Sequence, residues 1–524
     1  MSYTHDVIIV GGGHNGLTAA AYLAKTGRSV LLLEALDYLG GAATSIDAFE
    51  GVDARLSRYA YLVSLLPEKI ISDLGLEIRL ARRRYSSYTP VPGSPERGLL
   101  VDREDAEATA SSFADIGEAS DADGFTSFYR KTSELARGVW PTLTEPLLTR
   151  SEMKRLINND AVWDAFIERP LGEVIESELA GDIARGVALT DGLIGTFASA
   201  HDASLAQNIC FAYHVIGGGT GDWDVPVGGM GAVSGELVRA AREAGADLRI
   251  ESPVIRVQPL PTGGAQVDYV DATGGYVVSA PHVLANVSPW VLNELLGEEN
   301  DEDARPAGAQ IKVNLLLSRL PKLKDTSVSP EKAFGGTFHI NERYSQLESA
   351  YEAGARGEIP SPLPCEIYCH SLADPSILSP ELRAAGAQTL TLFGLHVPAS
   401  LVTRENNDEM RAALIRAALD SLDSVLAEPI ENVILRDGNG NLCIEGKTVL
   451  DLENALNMTG GNIFHTALQW PFVEDGDDLS TPEARWGVGT AHPGILLCGS
   501  GAHRGGAVSG IGGHNAAMAV MEQD

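Results

Sequence analysis

Residues 5–16 read HDVIIVGGGHNG, a short apolar run stopped by glycines, and the alanine-rich stretch 15–26 follows with helical spacing. The next apolar run, SVLLLEA, places Glu34 at its end. Strand, glycine turn, helix and second strand within about 30 residues open a parallel βαβ unit, in which the first turn faces a ligand. Gly11, Gly13 and Gly16 stand in that turn as G-x-G-x-x-G. The first glycine permits the tight turn, the second lets backbone N–H groups approach a pyrophosphate, and the third lets helix lie close on strand. Glu34 follows 23 residues after Gly11, where a carboxylate accepts hydrogen bonds from a ribose diol and disfavours a 2′-phosphate. A dinucleotide site is therefore expected here, and its contacts include His14, Asn15 and Ala35 beside the glycines and the acid. A second string, GGGTGD at 217–222, runs into Pro226 instead of a helix and predicts no second nucleotide domain.

The remaining periodicities divide the chain. Residues 1–52 carry the first βαβ part of the cofactor domain, and 53–224 read as a largely inserted substrate or helical region, with helices near 125–137 and 171–180. Residues 225–305 return to the cofactor domain: PVGGMG opens an amphipathic helix ended by Gly245, and an antiparallel strand meander follows. Residues 306–455 alternate apolar strands (IKVNLLL, TFHI, EIYCH, TLTLFGLHV) with loops and a helix over 409–426. Residues 456–524 close the cofactor domain with GILLCG, a glycine-rich turn and a helix near 509–521. The expected fold is α/β: a discontinuous Rossmann-type domain beside a mixed α+β substrate domain.

Composition narrows the function class. With 39 basic and 71 acidic residues the net charge is −32, a sign that phosphate backbones and anionic lipid surfaces repel, so no nucleic-acid partner is expected. The 56 glycines, roughly 11% against a usual value of about 7%, fit repeated close backbone approaches to a ligand. Five cysteines without a C-x-x-C pair, no apolar run of membrane-spanning length and no recognisable leader imply a reducing, cytoplasmic setting without an integral membrane segment, and self-association stays open.

Leu39-Gly40-Gly41-Ala42-Ala43-Thr44 follows Glu34 closely, and three further stretches, GGGHNGL, GGNIFH at 460–465 and CGSGAHRGGAVSGIGGHNAA at 498–517, complete a pattern that spans both ends of the chain. On these residues, with PVGGMG and GTFHINERYSQLESAYEAGARG, the sequence resembles the flavin amine oxidase and phytoene desaturase superfamily, and within it the phytoene-dehydrogenase-related group, some of whose members carry pyridine nucleotide-disulphide oxidoreductase in their names. The resemblance implies FAD as cofactor. It places FAD contacts at Gly40, Gly41, Ala42 and Thr44, at Gly228, Gly229, Met230 and Val254, and at Gly499, Gly506, Val508 and Gly510. Two positions depart from the superfamily: Ala42 stands where a basic residue is common, and Gly499-Ser500 where an acid is common.

The sequence contains no metal-ligand cluster and no positioned nucleophile, which suits flavin chemistry, because the isoalloxazine itself accepts the hydride. No metal is expected. The only close thiol pair, Cys365 and Cys369, lies far from the glycine motifs in a strand-like context and reads as core, against dithiol exchange. Candidate catalytic residues are His465, His214 and His503, since imidazole titrates where a base is useful. Arg504 shares the last glycine stretch, and Trp223, Trp470 and Phe472 are candidates for an apolar pocket wall. The leading reading is an FAD-dependent dehydrogenase, desaturase or oxidase taking a hydride from a partly apolar organic molecule. Its alternatives are a flavin amine oxidase and, from another class, a non-catalytic lipid-binding chaperone on the same fold.

Overall fold

The computed structural model describes residues 3–523. A five-stranded parallel sheet runs in the order Ile495–Leu497, His282–Ala285, Val7–Val10, Val30–Leu33 and Asp247–Arg249. Its central strands Val7–Val10 and Val30–Leu33 are apolar on both faces, as a sheet covered twice requires. Alternate residues separate cleanly. Val7, Ile9, Val30 and Leu32 pack under the helices His14–Lys25, Met230–Glu243 and Ile511–Glu522, whereas Ile8, Val10, Leu31 and Leu33 pack under Val257, Val267 and Tyr269 of a three-stranded meander. That meander, Val254–Pro259, Ala265–Asp271 and Gly274–Ala280, is antiparallel, but the next run, His282–Ala285, leaves it for the centre of the parallel sheet. The first and last helices lie so close that a Cβ on Gly513 would overlap the carbonyl of Asn15.

The second sheet has seven strands in the order Ile444–Lys447, Ile311–Leu317, Gln388–Gly394, Cys365–Tyr368, Thr337–Ile340, Tyr85–Val91 and Ser94–Asp102. All neighbours are antiparallel except Thr337–Ile340 with Tyr85–Val91. The hairpin at 85–102 thus comes from the segment read as largely helical; its Tyr88 joins the core beneath the sheet with Phe338, Ile367, Leu392 and Val313. The rest of that segment is helical. Asp121–Val139, Leu171–Glu178, Asp182–Thr190 and Ala206–Val215 close around Phe128, Trp163, Phe166 and Phe211. No helix among the described residues is long and apolar enough to cross a membrane.

Candidate functional site

One face of the seven-stranded sheet is apolar, and the other is polar yet buried. Strand register lines up Lys312, Phe393, Glu366 and His339 as one cross-strand row, and places Asn314, Thr391 and Tyr368 in the next. These side chains are almost fully enclosed. Lys312, Phe393, Glu366, His339 and Tyr368 floor one end of a cavity of about 710 Å³ whose other end is the glycine turn of the parallel sheet.

At the glycine end, the first helix begins at His14 with Gly13 as its N-cap and no capping side chain or acidic first-turn residue. Among the described residues, the N–H groups of Gly13, Asn15 and Gly16 find no acceptor, a β-bridge ties this turn to Gly40, and His14, Asn15 and Gly16 are buried. A buried helix end without a cap is a site for an anion. Gly11, at φ +100°, turns the chain where a Cβ would stand 2.7 Å from Asn286 O, and Gly41, at φ +57°, lies with its absent Cβ 3.1 Å from Gly13 Cα. Gly11, Gly13, His14, Gly41 and Ala42 line this lobe. Glu34, Ala35 and Val254 line it further along, and Val508 closes it from the C-terminal loop. Glu34 accepts hydrogen bonds from Gly12 N (2.6 Å) and Leu36 N (2.8 Å), which hold its carboxylate at the strand end. The turn and the C-terminal loop are joined directly: His14 Nε2 donates to Ala507 O at 3.0 Å.

Other expected cofactor residues act one layer back. Gly40 donates to Gly12 O (2.9 Å), Gly16 packs on Gly11 O, and Thr44 O receives Arg58 N. Gly499 packs on Asn286 and Gly510 caps the last helix beside Thr18, while Gly506 sits against Leu468 and Phe464. Asn15 is buried with both side-chain polar atoms unpaired. The structure does not bring Gly228, Gly229 and Met230 to the cavity wall, because their N–H groups are taken by Asp374 Oδ2, Pro226 O and Ser57 Oγ. Sequence reasoning missed Asn286, Ser500 and Ala507, all of which line the lobe.

Of the three histidines proposed for catalysis, two reach the cavity. His465 lines it near His14; burial pushes its pKa down to about 4, and its Nδ1 has no partner. His214 stacks on Trp223 at 5.3 Å, with Nδ1 tied to Cys210 O, and burial lowers its pKa too. His503 turns away from the cavity: Nε2 bonds Phe472 O at 3.1 Å. Trp470 and Phe472 stack on each other outside the chamber, and Arg504 is buried on the carbonyls of Thr142, Glu145 and Trp486. The string at 217–222 has a use unrelated to nucleotides, since Thr220, Gly221 and Asp222 line the chamber wall.

The polar sheet face supplies the ionisable groups that sequence reasoning missed. His339 Nδ1 stands 2.7 Å from Glu342 Oε2. A carboxylate accepts, so Nδ1 carries the hydrogen and Nε2, without a partner among the described residues, keeps its lone pair. Burial alone would lower this histidine's pKa, but the charge and hydrogen bond of Glu342 overcome it and raise the value above that of free imidazole. Glu366 accepts from Thr190 Oγ1 (2.8 Å) and from Tyr368 OH, and burial with the Glu342 charge pushes its pKa up to about 7. Asp191 on the opposite wall is raised by burial to about 6. Lys312 Nζ donates to Ser57 O (2.8 Å) and Tyr59 O (2.6 Å), and burial drives its pKa well below the ordinary lysine range. His339, Glu342 and Glu366 hold their ligand atoms within 4.8 Å of one another, a set a divalent cation could use, though each is already engaged within the protein network. All five cysteines are buried and free, and burial raises the Cys369 thiol to about 11, far from thiolate chemistry.

Residues 9–66 match the NAD(P)-binding Rossmann-like domain family. A protein of Mycobacterium tuberculosis is 53% identical over 522 residues, covering 98% of this chain and 97% of its own. Pyridine nucleotide-disulfide oxidoreductase domain-containing protein 2 of Rattus norvegicus is 27% identical over 577 aligned positions, covering 99% of this chain and 93% of its own. Among solved structures, putrescine oxidase shares the fold across 99% of both chains at 18% identity, with a TM-score of 0.60. With the glycine cradle, the second sheet and whole-length relatives in agreement, the chain belongs to one family with the Mycobacterium tuberculosis protein, is homologous to pyridine nucleotide-disulfide oxidoreductase domain-containing protein 2, and has the fold of the amine oxidases.

Proposed function

We propose that the protein is an FAD-dependent oxidoreductase that removes a hydride from a carbon of an organic substrate held between the glycine lobe and the seven-stranded sheet. The observation that carries this reading is the continuity of one cavity from the uncapped helix end at Gly13 to the buried row Lys312, Glu366 and His339. The glycine lobe fits FAD: it offers free N–H groups at a helix start, no side chain in the way, and a carboxylate at the second strand end. When bound, FAD supplies the hydride acceptor.

The protein's own task is to orient the substrate and accept the proton left when a hydride departs. His339 suits the second role, because Glu342 fixes its tautomer and stabilises the protonated ring. His465, held neutral by burial nearest the glycine lobe, suits the first. Lys312 can share proton traffic: as a neutral amine it spends two N–H groups on carbonyls and retains a lone pair. Helices over the sheet exclude water from the chamber.

Purified protein is expected to be yellow. Anaerobic mixing with carotenoids, amines, alcohols and acyl compounds should bleach the flavin with one class alone. His339→Gln should then slow reduction and flatten its pH profile without loss of flavin, and His465→Ala should weaken substrate positioning before it affects flavin binding. Reduction by NAD(P)H alone, with no organic substrate effective, would place the protein in a reductase class instead. Amine substrates would favour the amine oxidase reading.

A further inference from the structure

The sequence ARRRYSSY at 81–88 puts three arginines in succession at the start of a strand. Arg84 pairs outward with Asp102 and Arg82 with Asp222, and Arg83 turns inward between them. Arg83 is 7% exposed and lines the chamber. Nε donates to Trp223 O (2.9 Å) and Nη1 to Thr337 Oγ1 (3.2 Å), the guanidinium lies over the Tyr368 ring, and Nη2 has no partner among the described residues. Among the described residues no carboxylate stands within ion-pair distance of Arg83, and Asp224 and Glu366 act on it only from further off. The other charged groups of this lobe have ways out of their burial. Lys312 can shed its proton, Glu366 and Asp191 can take one up, and Arg103 is paired with Asp222 at 2.6 Å. A guanidinium has no such escape, so its buried charge calls for an anion from outside.

A second, independent feature points the same way. Ser87 is 4% exposed, lines the chamber, and its Oγ has no hydrogen-bond partner. Strand register sets Ser87 directly beside Thr337, the residue that holds Arg83 Nη1. An orphan hydroxyl and a free guanidinium edge, both facing one enclosed space, form a recognition site for an oxyanion.

We infer that Arg83 and Ser87 bind the carboxylate group of the substrate, so that the oxidisable molecule is an organic acid anchored at the sheet end of the chamber. A planar carboxylate matches the guanidinium fork with one charge for one charge. The inference rests on the reading of the cavity as a substrate chamber, and it narrows the substrate class from any C–H donor to carboxylic acids.

The test uses the full-length protein as purified, with n-alkanoates from butanoate to decanoate as probes, the matching primary amides and alkylamines as controls, and inorganic phosphate as a separate arm. Binding is read by calorimetry and by perturbation of the flavin spectrum. Alkanoates should bind about 10- to 100-fold tighter than amides, the range for losing a charge-assisted hydrogen bond. Arg83→Met should abolish that preference. Ser87→Ala, a smaller change that keeps the strand intact, should reduce it several-fold and covers the case in which the arginine variant fails to fold. Equal binding of acids and amides, a preference that survives Arg83→Met, or tighter binding of alkylamines or phosphate would overturn the assignment. Calorimetry needs no flavin turnover, so carboxylate binding that depends on Arg83 can hold even if the redox reading fails, and the two failures are told apart.

Discussion

Gly13 allows the dinucleotide assignment to be tested almost without disturbing the fold. Its backbone sits at φ −69° and ψ 172°, a conformation open to any residue, and an added Cβ would meet only the movable amide of Asn286, at 3.1 Å. Gly11 and Gly16 offer no such chance, because at those positions a Cβ would strike backbone carbonyls. Gly13→Ala and Gly13→Val should therefore change the stability of the flavin-free protein by no more than about 1 kcal/mol. The effect on the cofactor should be much larger. The methyl groups project where a pyrophosphate must approach the free N–H groups of the helix start, and each charge-assisted hydrogen bond lost is worth about 1.5–3 kcal/mol. Losing two of them weakens FAD binding by about 10²- to 10⁴-fold, with Val beyond Ala. The assay pairs FAD titration by fluorescence with thermal unfolding in the absence of FAD. Unchanged affinity and full flavin occupancy in Gly13→Val would refute the reasoning, and so would equal losses of stability and affinity.

Acid should destabilise the protein as pH falls from about 6.5 towards 4. His14, His465 and His514 are held by burial at about 4, and His370 and His396 at about 3, so the unfolded chain takes up protons that the folded one refuses. Asp191 and Glu366, raised to about 6 and about 7, oppose the trend but are fewer; a melting temperature unchanged between pH 7 and 5 would contradict this balance. Deleting residues 500–524 removes the Ala507 carbonyl that holds His14 and the helix packed through Gly513, so the product should be insoluble or free of flavin, and a soluble, fully flavin-loaded truncation would count against a shared site. Cys365→Ser with Cys369→Ser should cost about 1–3 kcal/mol in stability for each buried hydroxyl yet leave flavin reduction by substrate intact, as followed by anaerobic rapid mixing; loss of the reductive step in a folded, flavin-bound double variant would restore a thiol mechanism.

The glycine lobe could be read from the sequence because its determinants are local. Gly11, Gly13, Gly16 and Glu34 fall within one βαβ unit, where turn geometry and strand length fix their relative positions before any tertiary contact forms. The same local logic succeeded for the strand Ile495–Leu497 and the last helix. It failed for His503. A loop of glycines turns irregularly: Ala507 and Val508 reach the cavity while His503 turns to Phe472 O, and no periodicity announces which way each residue faces. It failed also at Met230, where the N–H groups of Gly228, Met230 and Gly231 are taken by Asp374, Ser57 and Ser45 from distant segments.

The polar end of the cavity was hidden for a different reason. The strands IKVNLLL, TFHI, CEIY and QTLTLFG alternate polar with apolar residues, a pattern that in an isolated sheet marks a face turned to water. Here the helical layer built from residues 106–215 covers that face, and the alternation becomes a buried polar floor. Only cross-strand register, which no single strand encodes, joins Lys312 to Phe393, Phe393 to Glu366 and Glu366 to His339. Burial of that row is costly, and a fold selected for stability alone would replace Lys312, Glu366 and His339 with apolar residues of similar volume. Their presence beneath a chamber that opens onto an uncapped helix end suits the proposed oxidoreductase, which needs an enclosed polar space in which a proton and a hydride leave neighbouring atoms of the substrate in different directions.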